Sequence, residues 1–389
     1  VELLRADLVP PLREALTSAG FTYDGVAAAL GPTAHAALGR NETTPGLRRT
    51  AGGTPLETLV RLWPLQSAVD VHHAEEALPG LVDPLCAAGL LERSVGSVRA
   101  RVDVRPYASD ERDWWVVSDL TPGLDGTATR VGADHVLGIS SASSSLAQLT
   151  VRTPVARALD LGTGCGVQSL HLTDHAGHVV ATDVNRRALA MSRLNAALNE
   201  VDIDVREGSL YDPVRGEAFD LLVTNPPFVV SPGTGELLVY RDSGLPGDEM
   251  VRRVVTGAPA HLAPGGLAQV LANWVHVDGL PWEERLSGWL EGTGCDAWVV
   301  QREVADPAQS SSGSVTPATT GRPTTSSGTT RGSGGSRSRA SPASGSGGST
   351  CAGPTANRPC GSRSGRTTSS SPSAPRSASG PAGSTRSRR

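Results

Sequence analysis

From Ala156 to Val304 short apolar runs alternate with longer amphipathic ones, and that alternation closes off most architectures. The runs ALDL (158–161), HVVATD (178–183), VDIDVREG (201–208), FDLLVT (219–224), GGLAQVLANWV (265–275) and DAWVVQREV (296–304) read as strands. Between them, RRALAMSRLNAALN (186–199) sets Leu189, Leu194 and Leu198 near one face of a helix. Asp248 is a candidate N-cap for the run after it, and Pro281 opens a further helix. Strands alternating with helices predict an α/β fold, a doubly wound, mostly parallel sheet covered on both faces.

Within that frame the fourth strand leaves through TNPPFVV (224–230). Two consecutive prolines remove two backbone donors and fix two φ angles, and each pushes the residue before it out of the helical region. The chain thus gains a stiff, extended rim with carbonyls to spare and Asn225 held on it. A rigid strand-end turn would need no more than this. In an enzyme, the Asn225 side chain and the Pro226 carbonyl could accept the two N–H bonds of a planar amine or amide, with Phe228 stacking on the planar group.

The first strand ends in DLGTGCG (160–166). Gly162, Gly164 and Gly166 between a strand and a helix permit a tight turn and close approach of a ligand. In a dinucleotide fold such a loop holds pyrophosphate, but there the glycines follow G-x-G-x-x-G, and here they are evenly spaced. Asp183 ends the second strand, where a carboxylate can accept both hydroxyls of a ribose; a helix N-cap is the plainer role for the same residue.

Taken together, these residues resemble a class I S-adenosylmethionine-dependent methyltransferase, of the branch with an N/D-P-P-F/Y motif, over roughly residues 135–305. The resemblance implies a Rossmann-like sheet and S-adenosyl-L-methionine as cofactor. Asp160, Gly162, Gly164 and Gly166 match the first motif, and Asp183 matches the acidic residue that binds the cofactor ribose. Ser209 in Glu207-Gly208-Ser209 lies where the family contacts adenine, although many members carry an acidic residue there. Asn225, Pro226 and Phe228 match the substrate-amine motif as catalytic residues, with Asn225 also beside the cofactor. The implied reaction is methyl transfer to a planar nitrogen. A protein glutamine amide, as in release-factor glutamine methyltransferases, is the first candidate. The exocyclic amine of a nucleobase in ribosomal RNA or other nucleic acid is the alternative, and a non-catalytic binding module is a third. The corresponding partners are a protein such as a translation factor, or structured RNA.

Residues 1–120 read as a smaller, mainly helical accessory domain. LRADLVPPLREALTSAG and TPLETLVRLWPL have helical spacing, and VRARVDVRPY then gives strands, an order in keeping with a winged helix. Such modules bind DNA or hold subunits and substrates. WWVVSDL (114–120) reads as a strand, and DHVLGISSASSSLAQL (134–149) as a segment packing near the mouth of the next domain, which spans 121–309.

Charge sharpens the choice of partner. The 389-residue chain contains no lysine and carries a net charge of −4. From residue 311 onward there are 11 arginines and no carboxylate, so the first 310 residues hold 24 arginines against 39 acidic residues. An acidic body disfavours broad binding to phosphates. The segment 310–389 is Ser, Gly, Thr, Pro, Ala and Arg without an apolar period, and is expected to be a disordered tail. Its abrupt start directly after a strand suits either a genuine linker or a reading of the wrong frame of a GC-rich gene, and predicts a sheet lacking its closing strand. The five cysteines show no CxxC and no zinc spacing, which points to free thiols and no metal. No apolar run reaches membrane-spanning length, so a cytoplasmic protein without a membrane partner is expected.

Overall fold

The computed structural model describes residues 2–109, 112–126, 131–227, 245, 247–305 and 344–352. The N-terminal part is helical: α1 (Val9–Ser18), α2 (Tyr23–Leu38), α3 (Thr44–Arg49) and α4 (Pro55–Leu62). Pro32 follows Gly31 inside α2, and Gly31 takes φ 69, so the helix is broken there rather than merely bent. Helix α4 starts with a complete capping box, Thr54 with Glu57. A short strand β1 (Val69–Asp70), helices α5 (Val71–Ala77) and α6 (Val82–Ala87), and a hairpin of β2 (Leu91–Ser94) and β3 (Ser97–Ala100) follow. Their sheet has the order β1-β3-β2 and is antiparallel.

A second hairpin, β4 (Asp103–Ala108) with β5 (Asp113–Ser118), leads through α7 (Ser141–Leu149) into the large sheet. That sheet alternates as its hydrophobic pattern requires: β6 (Val155–Leu161), α8 (Val167–Leu172), β7 (Ala176–Asp183), α9 (Arg186–Leu198), β8 (Asp204–Glu207), β9 (Phe219–Thr224), α10 (Glu249–Gly257), β10 (Leu262–Val275), α11 (Trp282–Leu290) and β11 (Asp296–Ala305). Strands β10, β9, β6, β7 and β8 lie side by side and parallel. The fold is therefore a Rossmann-like core of mixed parallel and antiparallel strands preceded by a helical subdomain.

Three expectations need correction. The sheet does not lack its closing strand. Ser344–Ala352 forms β12, antiparallel to both β10 and β11 and lying between them. A tail without regular structure was expected from residue 310, and at these nine residues it does not hold. Strand pairing is carried by backbone groups, and the run SGSGGSTCA has no apolar alternation to betray it. The remainder of the tail lies outside the described residues. Pro281 is the N-cap of α11 rather than its first residue.

The helical subdomain shares a hydrophobic cluster with helices α8 and α9 of the Rossmann-like core. Leu12, Leu16, Trp114 and Val116 pack in the same cluster as Val167, Met191 and Leu194. On α8, His171 meets Tyr107 and Trp114 edge to face, with Nε2 3.1 Å from the Tyr107 hydroxyl. Burial pushes its imidazole down to about 4, so this joint is neutral at pH 7. Cys165 is a buried free thiol, and Cys86 and Cys295 are half-buried ones. Among the described residues no helix is long and apolar enough to cross a membrane.

Candidate functional site

Parallel strands end together, so the loops after β6, β7, β8 and β9 gather along one edge of the sheet. They line a single cleft, to which Gly162, Gly164, Asp183, Ser209, Asn225, Pro226 and Pro227 all contribute. The segment before α7 closes it from above the loops, with His135, Leu137 and Ser140 in the wall. The packing of 134–149 near the cleft mouth, expected from sequence, is thus observed.

Each predicted residue has a distinct place. Gly162 and Gly164 take φ 73 and 57, and a Cβ at either would meet nothing within 4 Å. Bare backbone therefore faces open cleft, and only glycine adopts that backbone without strain. The amides of Gly162 and Thr163 both donate to the Thr182 carbonyl at 2.9 Å, tying the loop to the end of β7. Gly166 does not line the cleft. It is the left-handed N-cap of α8, φ 89, and its Cβ would come within 3.0 Å of Ser192 Oγ. Its smallness serves packing of the loop on α9.

Asp160 also lies outside the cleft wall. It is 1% exposed and sits beneath the loop, where Oδ2 accepts from Thr163 Oγ1 at 2.7 Å and from Ser169 Oγ at 2.6 Å. Burial raises its carboxyl to about 6, against the two hydroxyl donors. The linkage sign follows. Below about pH 4 the carboxyl is protonated folded or unfolded, and no penalty exists. As pH rises through 6 the unfolded chain has released its proton and the folded one releases it only at a cost, so stability falls by about 3 kcal/mol. Asp160→Asn is therefore expected to lose less stability than wild type between pH 4 and 7, measured by denaturant unfolding at each pH. Parallel pH profiles for the two proteins would refute this.

Asp183 reaches into the cleft from the end of β7. Its Oδ2 accepts from the Gly164 amide at 2.9 Å and its Oδ1 from the Asn185 amide at 2.8 Å. Burial raises its carboxyl, and those two amides work in the opposite direction by favouring the anion. The Val184 amide also favours the anion, and the carboxylate lines the cleft. The plainer N-cap role falls to Asn185, whose Oδ1 accepts from the Arg187 amide and caps α9. Asp248 occupies the N-cap position of α10 without capping it, because its carboxylate instead accepts from the Val275 amide and holds Arg285. Glu207 is turned outward to Arg186 at 2.8 Å, while Ser209 lines the cleft.

Asn225 follows β9 directly, where Thr224 Oγ1 donates to the Leu161 carbonyl at 2.7 Å and locks the two strand ends together. Its Oδ1 is buried and has no hydrogen-bond partner among the described residues. A buried amide oxygen left unpaired costs about 1–3 kcal/mol, so this position calls for a donor beyond the described residues. Phe228 lies outside the described residues.

Sequence reasoning missed the residues that hold the walls. Asp119 accepts from the Val136 amide at 2.8 Å and is gripped by the Arg187 guanidinium. Thr163 and Ser169 support Asp160, and Gln168 Nε2 donates to the Ser143 carbonyl at 2.7 Å. The pairs Asp119 with Arg187 and Gln168 with Ser143 are far apart in sequence and carry no motif. Only the small hydroxyl residues within and after the glycine loop offered a local signal.

Comparison with known proteins agrees with this geometry. Residues 138–286 match the family described as "Methyltransferase small domain", and residues 18–101 match a domain of unknown function (DUF7059). A release factor glutamine methyltransferase of Geobacter sulfurreducens is 32% identical over 164 residues, 39% of this chain and 55% of that protein. One from Deinococcus radiodurans is 35% identical over 143 residues, 34% of this chain and 51% of that protein. Ribosomal RNA small subunit methyltransferase C of Erwinia tasmaniensis is 29% identical over 187 residues, 46% of this chain and 49% of that protein. The chain spans about half the length of these curated relatives. Over the matched segment it is similar to release-factor and ribosomal RNA methyltransferases.

Proposed function

We propose that the cleft binds S-adenosyl-L-methionine and that the chain transfers its methyl group to the nitrogen of a planar amide, a protein glutamine first. The observation that carries this is the buried Oδ1 of Asn225, without a partner among the described residues, in the same cleft as the glycine loop and Asp183. The residues fit the cofactor: open backbone at Gly162 and Gly164, a carboxylate at Asp183 that would accept from ribose hydroxyls, and Ser209 in the wall where adenine would lie. When bound, the cofactor supplies a methyl group already activated as a sulfonium.

The chain's own part is orientation. An amide nitrogen is a poor nucleophile because its lone pair is delocalised into the carbonyl. Asn225 Oδ1 and the Pro226 carbonyl accept its two N–H bonds, which fixes the direction of that lone pair and draws electron density toward nitrogen. Transfer would break the sulfonium S–C bond as the N–C bond forms, and one of those two protons would be released to solvent. Phe228 would stack on the planar group.

A protein substrate is favoured over nucleic acid by charge. The helix–strand–helix–helix–hairpin order of the N-terminal module supports a winged-helix-like reading. Yet its α6, the helix such a module would lay on nucleic acid, is VDPLCA, with Asp83 and no arginine. The test is incubation of the full chain with methyl-labelled S-adenosylmethionine and cell fractions, followed by separation of protein and RNA. Label on protein glutamine supports the proposal, and label in RNA supports a nucleobase amine. Cofactor binding without any transfer would leave a binding module.

A further inference from the structure

We infer that Asn195 is a positioning residue for the glycine loop, and that through it the β4–β5 hairpin sets cofactor affinity; this rests on the cofactor reading above. Helix α9 presents Asn195 and Asn199 one turn apart, facing β5. Asn199 Oδ1 accepts from the Trp115 amide and its Nδ2 donates to the Trp115 carbonyl, both at 2.8 Å. Asn195 repeats the pattern two residues along the strand: Oδ1 accepts from the Val117 amide at 2.7 Å and Nδ2 donates to the Val117 carbonyl at 2.9 Å. Two carboxamides thus complete the edge of β5 as another strand would.

Toward the hairpin the two asparagines are equivalent. They differ in the second N–H. Asn199 spends it on its own helix, at the Asn195 carbonyl. Asn195 donates it to the Cys165 carbonyl at 2.7 Å. That carbonyl shares a peptide plane with the Gly166 amide, which closes the turn by donating to the Thr163 carbonyl at 2.9 Å. Asn195 is 0% exposed and its carboxamide is planar, so the strand and the loop are held by one rigid group without a water between them. The same hairpin also steadies a second wall. Asp119, the residue after β5, exchanges backbone and side-chain bonds with Val136, which lines the cleft. The hairpin therefore holds two of the surfaces between which the cofactor would lie, and among the described residues its hydrogen-bonded link to the glycine loop runs through the Asn195 side chain.

A residue that merely stabilised the hairpin would affect folding alone, and Asn199 provides that control. The experiment is calorimetric titration of wild type, Asn195→Ala and Asn199→Ala with S-adenosylhomocysteine, well below each melting temperature. Asn199→Ala should bind as wild type does while melting earlier. Asn195→Ala should bind roughly tenfold more weakly, the loss expected for one hydrogen bond that shapes the loop. Equal affinities in all three proteins, or equal losses in both variants, would overturn the inference. A second measurement needs no variant. In wild type, S-adenosylhomocysteine should slow hydrogen exchange of the Val117 amide more than that of the Trp115 amide, and equal slowing would overturn the coupling even if Asn195→Ala failed to fold. A wild type that binds no S-adenosylhomocysteine overturns the cofactor reading itself and this inference with it.

Discussion

Asn225→Ala is expected to lower methyl transfer about a hundredfold while leaving the melting temperature unchanged or slightly raised. Loss of one preorganised contact to a reacting group costs about 3 kcal/mol of barrier, which is that factor in rate. Stability behaves differently because Oδ1 is buried without a partner among the described residues. Removing an unpaired acceptor takes away a desolvation penalty and breaks no Oδ1 bond among the described residues. Rate and stability therefore move apart, which a structural residue would not do. Cofactor affinity should change little, since the side chain serves the amine. Asn225→Asp keeps an acceptor at the same place and should retain more transfer than the alanine variant, in line with the related D-P-P motif. The measurement is single-turnover transfer at saturating cofactor, with affinity and melting temperature alongside. Near-normal transfer in Asn225→Ala would reduce Asn225-Pro226-Pro227 to a strand-end turn.

What the sequence made legible is what short-range chemistry encodes. The apolar runs around Leu159, Val180 and Leu222 are fully buried strands, and their period alone announced a parallel sheet. From a parallel sheet it follows that Gly162 and Asn225, each just past a strand, and Asp183, the last residue of one, open on one edge. Asp160 shows the limit of this reasoning. A motif match placed it with the ligand, but it lies inside the strand, one residue too early to reach the cleft, and its burial instead anchors Thr163 and Ser169. Gly166 errs in the other direction, since it belongs to the helix start. Asn195 and Asn199 were invisible because their meaning depends on Trp115 and Val117, about eighty residues away. Strand β12 was invisible for a different reason: serine and glycine can pair through the backbone without leaving an apolar period.

Asp183→Ala is expected to abolish measurable cofactor binding or weaken it by more than a hundredfold. Two charge-assisted hydrogen bonds to a ribose would go, each worth about 1.5–3 kcal/mol. The loss does not stop at the ligand. The same carboxylate fixes the Gly164 amide at 2.9 Å and the Asn185 amide at 2.8 Å, so the alanine variant also frees the middle of the glycine loop and the entry to α9. A fall in melting temperature should therefore accompany the fall in affinity. Asp183→Asn separates the two contributions. Its amide oxygen can still accept one backbone N–H, but its NH2 group meets the other donor head on and cannot accept the second ribose hydroxyl. It should consequently fold better than Asp183→Ala and bind only somewhat better. Calorimetric titration with S-adenosylhomocysteine, at a temperature where circular dichroism shows each variant folded, reads both. Wild-type affinity in a folded Asp183→Ala would mean that the carboxylate only braces the loop, and the ribose would then have to be held by other groups in the cleft.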